Sequence, residues 1–133
     1  KELMVSGEAV VSMSWNGYAM RARDEKPTIA YVYPKEGYTG WMDNVAVPKG
    51  APNMDSAKAW VNFVMAPENA AMISAYARYA NGIAGSDAFM PEDMKTAPEV
   101  AIPEEFKAAG TFLPTGTGKS LDYITAIWTE LQK

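Results

Sequence analysis

The chain contains no cysteine and no histidine. That removes thiol and imidazole nucleophiles, imidazole acid–base chemistry, thiolate zinc sites and haem held by histidine. Carboxylates, lysines, tyrosines, serines and threonines are what remain for chemistry. No run approaches the roughly 18 apolar residues that a membrane-crossing helix needs. No basic block exists either: 12 Lys and Arg stand against 16 Asp and Glu, for a formal charge of −4. Phosphate contact needs clustered cations, so nucleic acid is excluded as a partner. The start lacks the basic and then apolar pattern of a signal peptide, so any such segment is expected to be absent or removed. Lys1-Glu2-Leu3-Met4 reads like the middle of a helix, and the expectation is a fragment or a processed chain. The lack of cysteine permits an oxidising compartment such as the periplasm without requiring it.

What is present is ample for a core. The chain has 133 residues, 48% of them hydrophobic, the size of one ordinary domain. Residues 8–14 read as a mostly buried strand after a turn at Ser6-Gly7, and 28–33 and 41–48 as two more, rich in β-branched and aromatic residues. Between them, residues 18–23 suggest a short helix capped by Asn16 and stopped at Pro27. Ala57, Trp60, Val61 and Val64 recur at helical spacing behind Asn53 or Asp55, and Pro67 opens a second helix running to about Tyr79, with Asn81-Gly82 ending it. Short helices are expected at 91–96 and 103–109. Leu121, Ile124, Ile127, Trp128 and Leu131 form the stripe of a last amphipathic helix over 120–131. Early alternation of strand and helix gives an α/β class with a mixed sheet. Nine scattered methionines read as core filler rather than a metal site.

Two motifs compete for chemistry. Thr115-Gly116-Thr117-Gly118-Lys119-Ser120 resembles the end of a phosphate-binding loop, but the pattern requires glycine at position 113, which is Leu113, and Pro114 interrupts any preceding strand. A plain loop and helix cap is the simpler reading. Trp15 lies where a strand gives way to Asn16-Gly17, and Trp41 and Asp43, two apart on a strand, share a face. Two indoles and a carboxylate suit an organic cation: the ring faces attract the charge by about 0.5–2 kcal/mol, and the carboxylate adds a charge-assisted hydrogen bond. Against this stands the ordinary alternative of tryptophans in a core and an aspartate in a solvated turn. Glu92-Asp93 and Glu104-Glu105 follow prolines and suit helix first turns.

The stretches Ser6-Gly7-Glu8, Met13-Ser14-Trp15-Asn16-Gly17, Tyr33-Pro34-Lys35-Glu36-Gly37, Trp41 to Pro48, and Asn62-Phe63-Val64-Met65-Ala66-Pro67-Glu68-Asn69-Ala70-Ala71 resemble, in order and spacing, the C-terminal part of the polyamine-type periplasmic substrate-binding proteins of ABC importers. The resemblance implies a type II-like fold of two α/β lobes that close on a ligand in their cleft by hinge motion. Residues 1–42 and 88–133 would belong to the second lobe, and 43–87 would return to the first. It implies a non-enzymatic periplasmic protein with no cofactor and no metal. Its partners would be a small amine, the N-terminal remainder of the binding protein and the transporter's membrane subunits.

Carried over by position, the resemblance implies Trp15 and Trp41 as stacking residues, Asp43 as the ammonium partner, Tyr79 beside them and a polar residue near Thr115. Tyr18 stands where diamine receptors can carry an acid. Arg21, Arg23 or Arg78 could then meet a carboxylate, which would extend the ligands from spermidine and putrescine to an ω-amino acid such as γ-aminobutyrate. Two other readings stay open: one half of an engineered ligand sensor, and an enzyme that uses carboxylates or the Lys119 loop.

Overall fold

The computed structural model describes residues 1–114 and 116–133. The expected helices are there. Helix α1 spans Glu2–Ser6 and ends on Gly7 in the left-handed conformation (φ 89°), the usual way for a chain to leave a helix. Helix α2 spans Asn16–Glu25. Its cap is Trp15 in extended conformation, one residue before the expected Asn16. Asn16 is freed from capping, and its Nδ2 donates to the Glu99 carbonyl at 2.7 Å. Lys26 closes α2 with φ −134° and ψ 90°, because a residue before proline is driven out of the helical region.

Helices α3 (Met54–Val64) and α4 (Pro67–Ala77) form the anticipated pair, with Pro67 in the first turn of α4. Helix α4 ends earlier than the sequence suggested. Arg78 takes a left-handed conformation (φ 64°), and Asn81 serves as a hub instead of a stop: its Nδ2 donates to Ser74 Oγ at 2.8 Å while its Oδ1 accepts from Ser86 Oγ at 2.8 Å. A 3-10 turn at Ser86–Phe89, the single-turn α5 at Glu92–Lys95 and a 3-10 turn at Glu104–Ala109 follow. Helix α6 spans Lys119–Leu131, and its apolar stripe is exposed along its length.

The strands are where the sequence misleads. Among the described residues the sheet has two strands, β1 (Tyr38–Gly40) and β2 (Gly110–Phe112), paired in parallel with Tyr38 opposite Gly110 and Gly40 opposite Phe112. The expected strands at 8–14, 28–33 and 41–48 are not in any ladder, while β1 lies between the second and third of them, where no strand is expected. A strand exists only when another edge supplies its hydrogen bonds. Val10, Val11 and Met13 accordingly stand 93%, 83% and 99% exposed. No helix of the described residues is long and apolar enough to cross a membrane.

The core is small and built largely from methionine. Met20 of α2, Ala71 of α4, Met90, Met94 of α5 and Ala97 pack together, with Val100 against them. Flexible thioethers fill such irregular junctions well. A second cluster stacks Tyr33 on Phe106 (5.1 Å, 20°), with Tyr31 and Tyr38 edge-on to Tyr33. The Tyr33 hydroxyl donates to the Pro98 carbonyl at 2.6 Å, and burial pushes its pKa up to about 12.

Candidate functional site

Trp15, Trp41 and Tyr79 come from three separate parts of the chain and meet as one aromatic wall. Trp15 caps α2, Trp41 follows β1, and Tyr79 follows the left-handed residue that ends α4. The Trp15 and Trp41 rings meet edge to face at 5.5 Å and 87°. Trp41 and Tyr79 do the same at 5.4 Å and 70°. Perpendicular pairs of this kind are favoured by the ring quadrupoles, and they leave faces free for a guest. Trp15 and Trp41 are exposed and Tyr79 is half-buried.

These three residues, Tyr18 and Asp43 line one open concavity of about 2600 Å³. Asp43 is exposed in it. The strand that was to align Asp43 with Trp41 is absent, yet both side chains reach the same concavity. The pKa of the Tyr79 phenol is held above its ordinary value, first by burial and then by the charge of Tyr18, with the Asp43 carboxylate adding to the effect and the Arg21 guanidinium opposing it. Tyr79 thus sits within the fields of one acid and one base.

The arginines are committed elsewhere. Arg21 Nη2 donates to the Ala77 carbonyl at 3.1 Å, which places its charge at the C-terminus of α4 where the helix dipole favours it. Its guanidinium also lies 5.5 Å from the Tyr18 ring centroid. Arg23 forks onto Glu99 at 2.8 and 2.7 Å, and Arg78 Nη2 donates to Asp24 at 2.9 Å and Asp93 at 2.6 Å. Thr115 lies outside the described residues. The neighbouring loop is tied locally and caps no helix amide: Ser120 Oγ, in the first turn of α6, donates to the Thr117 carbonyl at 2.7 Å and accepts from the Thr117 amide at 3.2 Å, and α6 has no side-chain cap. Among the described residues no three acidic side chains converge as a metal site would require.

One participant escaped sequence reasoning. Gly17, the second residue of α2, is buried directly against the Tyr79 ring. The sequence carried no signal for it, because an Asn16-Gly17 pair ahead of a helix expected over 18–23 reads as an ordinary turn.

A smaller apolar pocket of about 310 Å³ lies between residues 45–48 and α3, walled by Val45, Val47, Pro48, Trp60 and Val61. It carries no charged group, and its chemistry is that of packing.

Residues 1–102 match the profile of a family described as bacterial extracellular solute-binding protein. A putrescine-binding periplasmic protein of Pseudomonas aeruginosa is 31% identical over 135 residues, covering 97% of this chain and 37% of that protein. The spermidine/putrescine-binding periplasmic protein of Escherichia coli is 39% identical over 70 residues, covering 53% of this chain and 20% of that protein. A putrescine-binding periplasmic protein of Escherichia coli is 25% identical over 135 residues, covering 97% and 36%. The chain thus spans about a third of the length of the relatives that it matches from end to end.

Proposed function

The chain belongs to the bacterial extracellular solute-binding proteins, and we propose that it supplies the amine-gripping surface of a periplasmic receptor for a polyamine such as putrescine. The observation that carries this reading is the meeting of Trp15, Trp41 and Tyr79 in one concavity with Asp43. Indole faces cover the methylene chain of such a ligand, and they attract an ammonium as well. Asp43 accepts the ammonium hydrogen bond. The names of the relatives, all binding proteins for putrescine or spermidine, support a binding role over an enzymatic one.

The rest of the receptor belongs to the same proposal. The N-terminal remainder would complete the cleft, hinge closure would bury the ligand, and the loaded protein would dock on the membrane subunits of an ABC importer. Residues 1–42 and 88–133 would form parts of one lobe and 43–87 would return to the other. Helix α4 of that middle segment nonetheless packs on a core to which both flanking segments contribute.

The commitments of Arg21, Arg23 and Arg78 to protein partners favour a ligand without a carboxylate. An ω-amino acid is therefore the weaker ligand in this reading. The test is calorimetric titration of the full-length protein with putrescine, spermidine and γ-aminobutyrate. Saturable binding of the two polyamines, with γ-aminobutyrate much weaker, supports the reading. Binding of γ-aminobutyrate alone refutes it.

A further inference from the structure

We propose that Gly17 is a positioning residue for the amine site: the space left by its missing side chain seats the Tyr79 ring, and through Tyr79 it sets the spacing of the wall to Trp41 and Trp15. The proposal rests on reading that wall as the ligand-binding surface.

A Cβ on Gly17 would lie 2.3 Å from Tyr79 Cε2, 2.5 Å from Cζ and 2.6 Å from Cδ2. Three atoms of a rigid ring at such distances cannot be relieved by turning one bond at the end of a flexible chain. The ring has to move as a body. Conformation gives no other reason for glycine here. Gly17 is not among the residues with positive φ, so its backbone suits any L-residue, and within a helix glycine is disfavoured relative to alanine. Close approach of another group is the remaining reason for a glycine at such a place.

Tyr79 is held at its other end as well. The preceding residue, Arg78, is fixed in the left-handed conformation (φ 64°) and tied by its guanidinium to Asp24 and Asp93. Asp24 lies on α2, the helix that carries Gly17. One helix therefore fixes Tyr79 twice, through the ring at its start and through the backbone tether near its end. The contacts form a closed circuit: Trp15 caps α2, Gly17 seats Tyr79, Tyr79 meets Trp41, and Trp41 returns to Trp15. Any side chain at position 17 opens that circuit without touching an amine.

The test is a double-mutant cycle of Gly17→Ala and Tyr79→Ala in the full-length protein, read by putrescine calorimetry and by near-ultraviolet circular dichroism. Gly17→Ala is expected to weaken putrescine by at least about tenfold, since displaced binding groups are costly at the ångström scale, and to change the aromatic dichroism. In the Tyr79→Ala background the same substitution is expected to cost nothing further, because the ring it collides with is gone. Wild-type affinity in Gly17→Ala, or losses that simply add, would overturn the proposal. If Gly17→Ala does not fold, recovery of the fold in the double variant supports the proposal and failure to recover overturns it. If the wild-type protein ignores putrescine, the ligand reading falls, while the dichroism and melting temperatures of the same four proteins still decide whether Tyr79 sits on Gly17.

Discussion

Glu99 holds α2 at both ends. Its carboxylate, fully buried, accepts from Arg23 Nε and Nη2 at 2.8 and 2.7 Å, and its carbonyl accepts from Asn16 Nδ2 at 2.7 Å. Asn16 and Arg23 bracket the helix that presents Trp15, so this one residue braces the aromatic wall from behind. Bidentate geometry is the strong form of such a pair, and the Glu99 hydrogen bonds raise the already high pKa of Arg23.

Arg23→Leu leaves the Glu99 carboxylate buried without a counter-charge. Arg23 is itself a third exposed, so the loss is placed at the low end of what breaking a buried pair costs, about 3 kcal/mol. Urea denaturation measures it. The double variant Arg23→Leu with Glu99→Leu is expected to recover part of the loss, since no lone charge then remains.

Alkaline pH is expected to destabilise the protein through Tyr33. The pKa of its phenol is pushed up to about 12 by burial, from an ordinary value of 10.0. The folded state therefore keeps a proton that the unfolded state gives up first, and the stabilisation is complete below pH 10 and lost as pH rises toward 12. Tyr33→Phe is expected to flatten this part of the stability curve. It is also expected to lower stability at neutral pH by about 0.5–1.5 kcal/mol for the lost bond to Pro98. Thermal melts between pH 7 and 12 on both proteins provide the check.

Arg78 combines a strained backbone with two ion pairs, and two substitutions separate them. Arg78→Ala loses the pairs and keeps a side chain in the left-handed region, whereas Arg78→Gly loses the pairs alone. Alanine is expected to be less stable than glycine by about 1 kcal/mol. The reverse order in chemical denaturation would show that residue 78 does not hold its left-handed conformation in solution.

Helices were legible in the sequence because their causes are local. Pro67 opens α4 in its own first turn, Pro27 turns Lys26 out of α2, and the apolar spacing of α3 and α6 lies within each segment. Strands were not legible, because pairing joins residues about 70 positions apart: Tyr38 finds Gly110, and neither carries a mark of the other. The site divides the same way. Trp15, Trp41 and Asp43 stand out by residue type and position, and Tyr79 by the resemblance, but their meeting depends on folding. The partners of the arginines and the fit of Tyr79 on Gly17 are long-range facts that no local pattern encodes. Asn16 is instructive: its type suits a cap, yet the Glu99 carbonyl captures its amide.

The central claim is that the Asp43 carboxylate, in the concavity shared with the Trp15 and Trp41 rings, binds an ammonium. Calorimetry with putrescine on Asp43→Asn tests it most directly, because the substitution keeps the shape and removes the charge. The expected result is affinity reduced more than about tenfold, the loss of one charged hydrogen bond, with an unchanged melting temperature for the free protein. Wild-type affinity in Asp43→Asn would contradict the account.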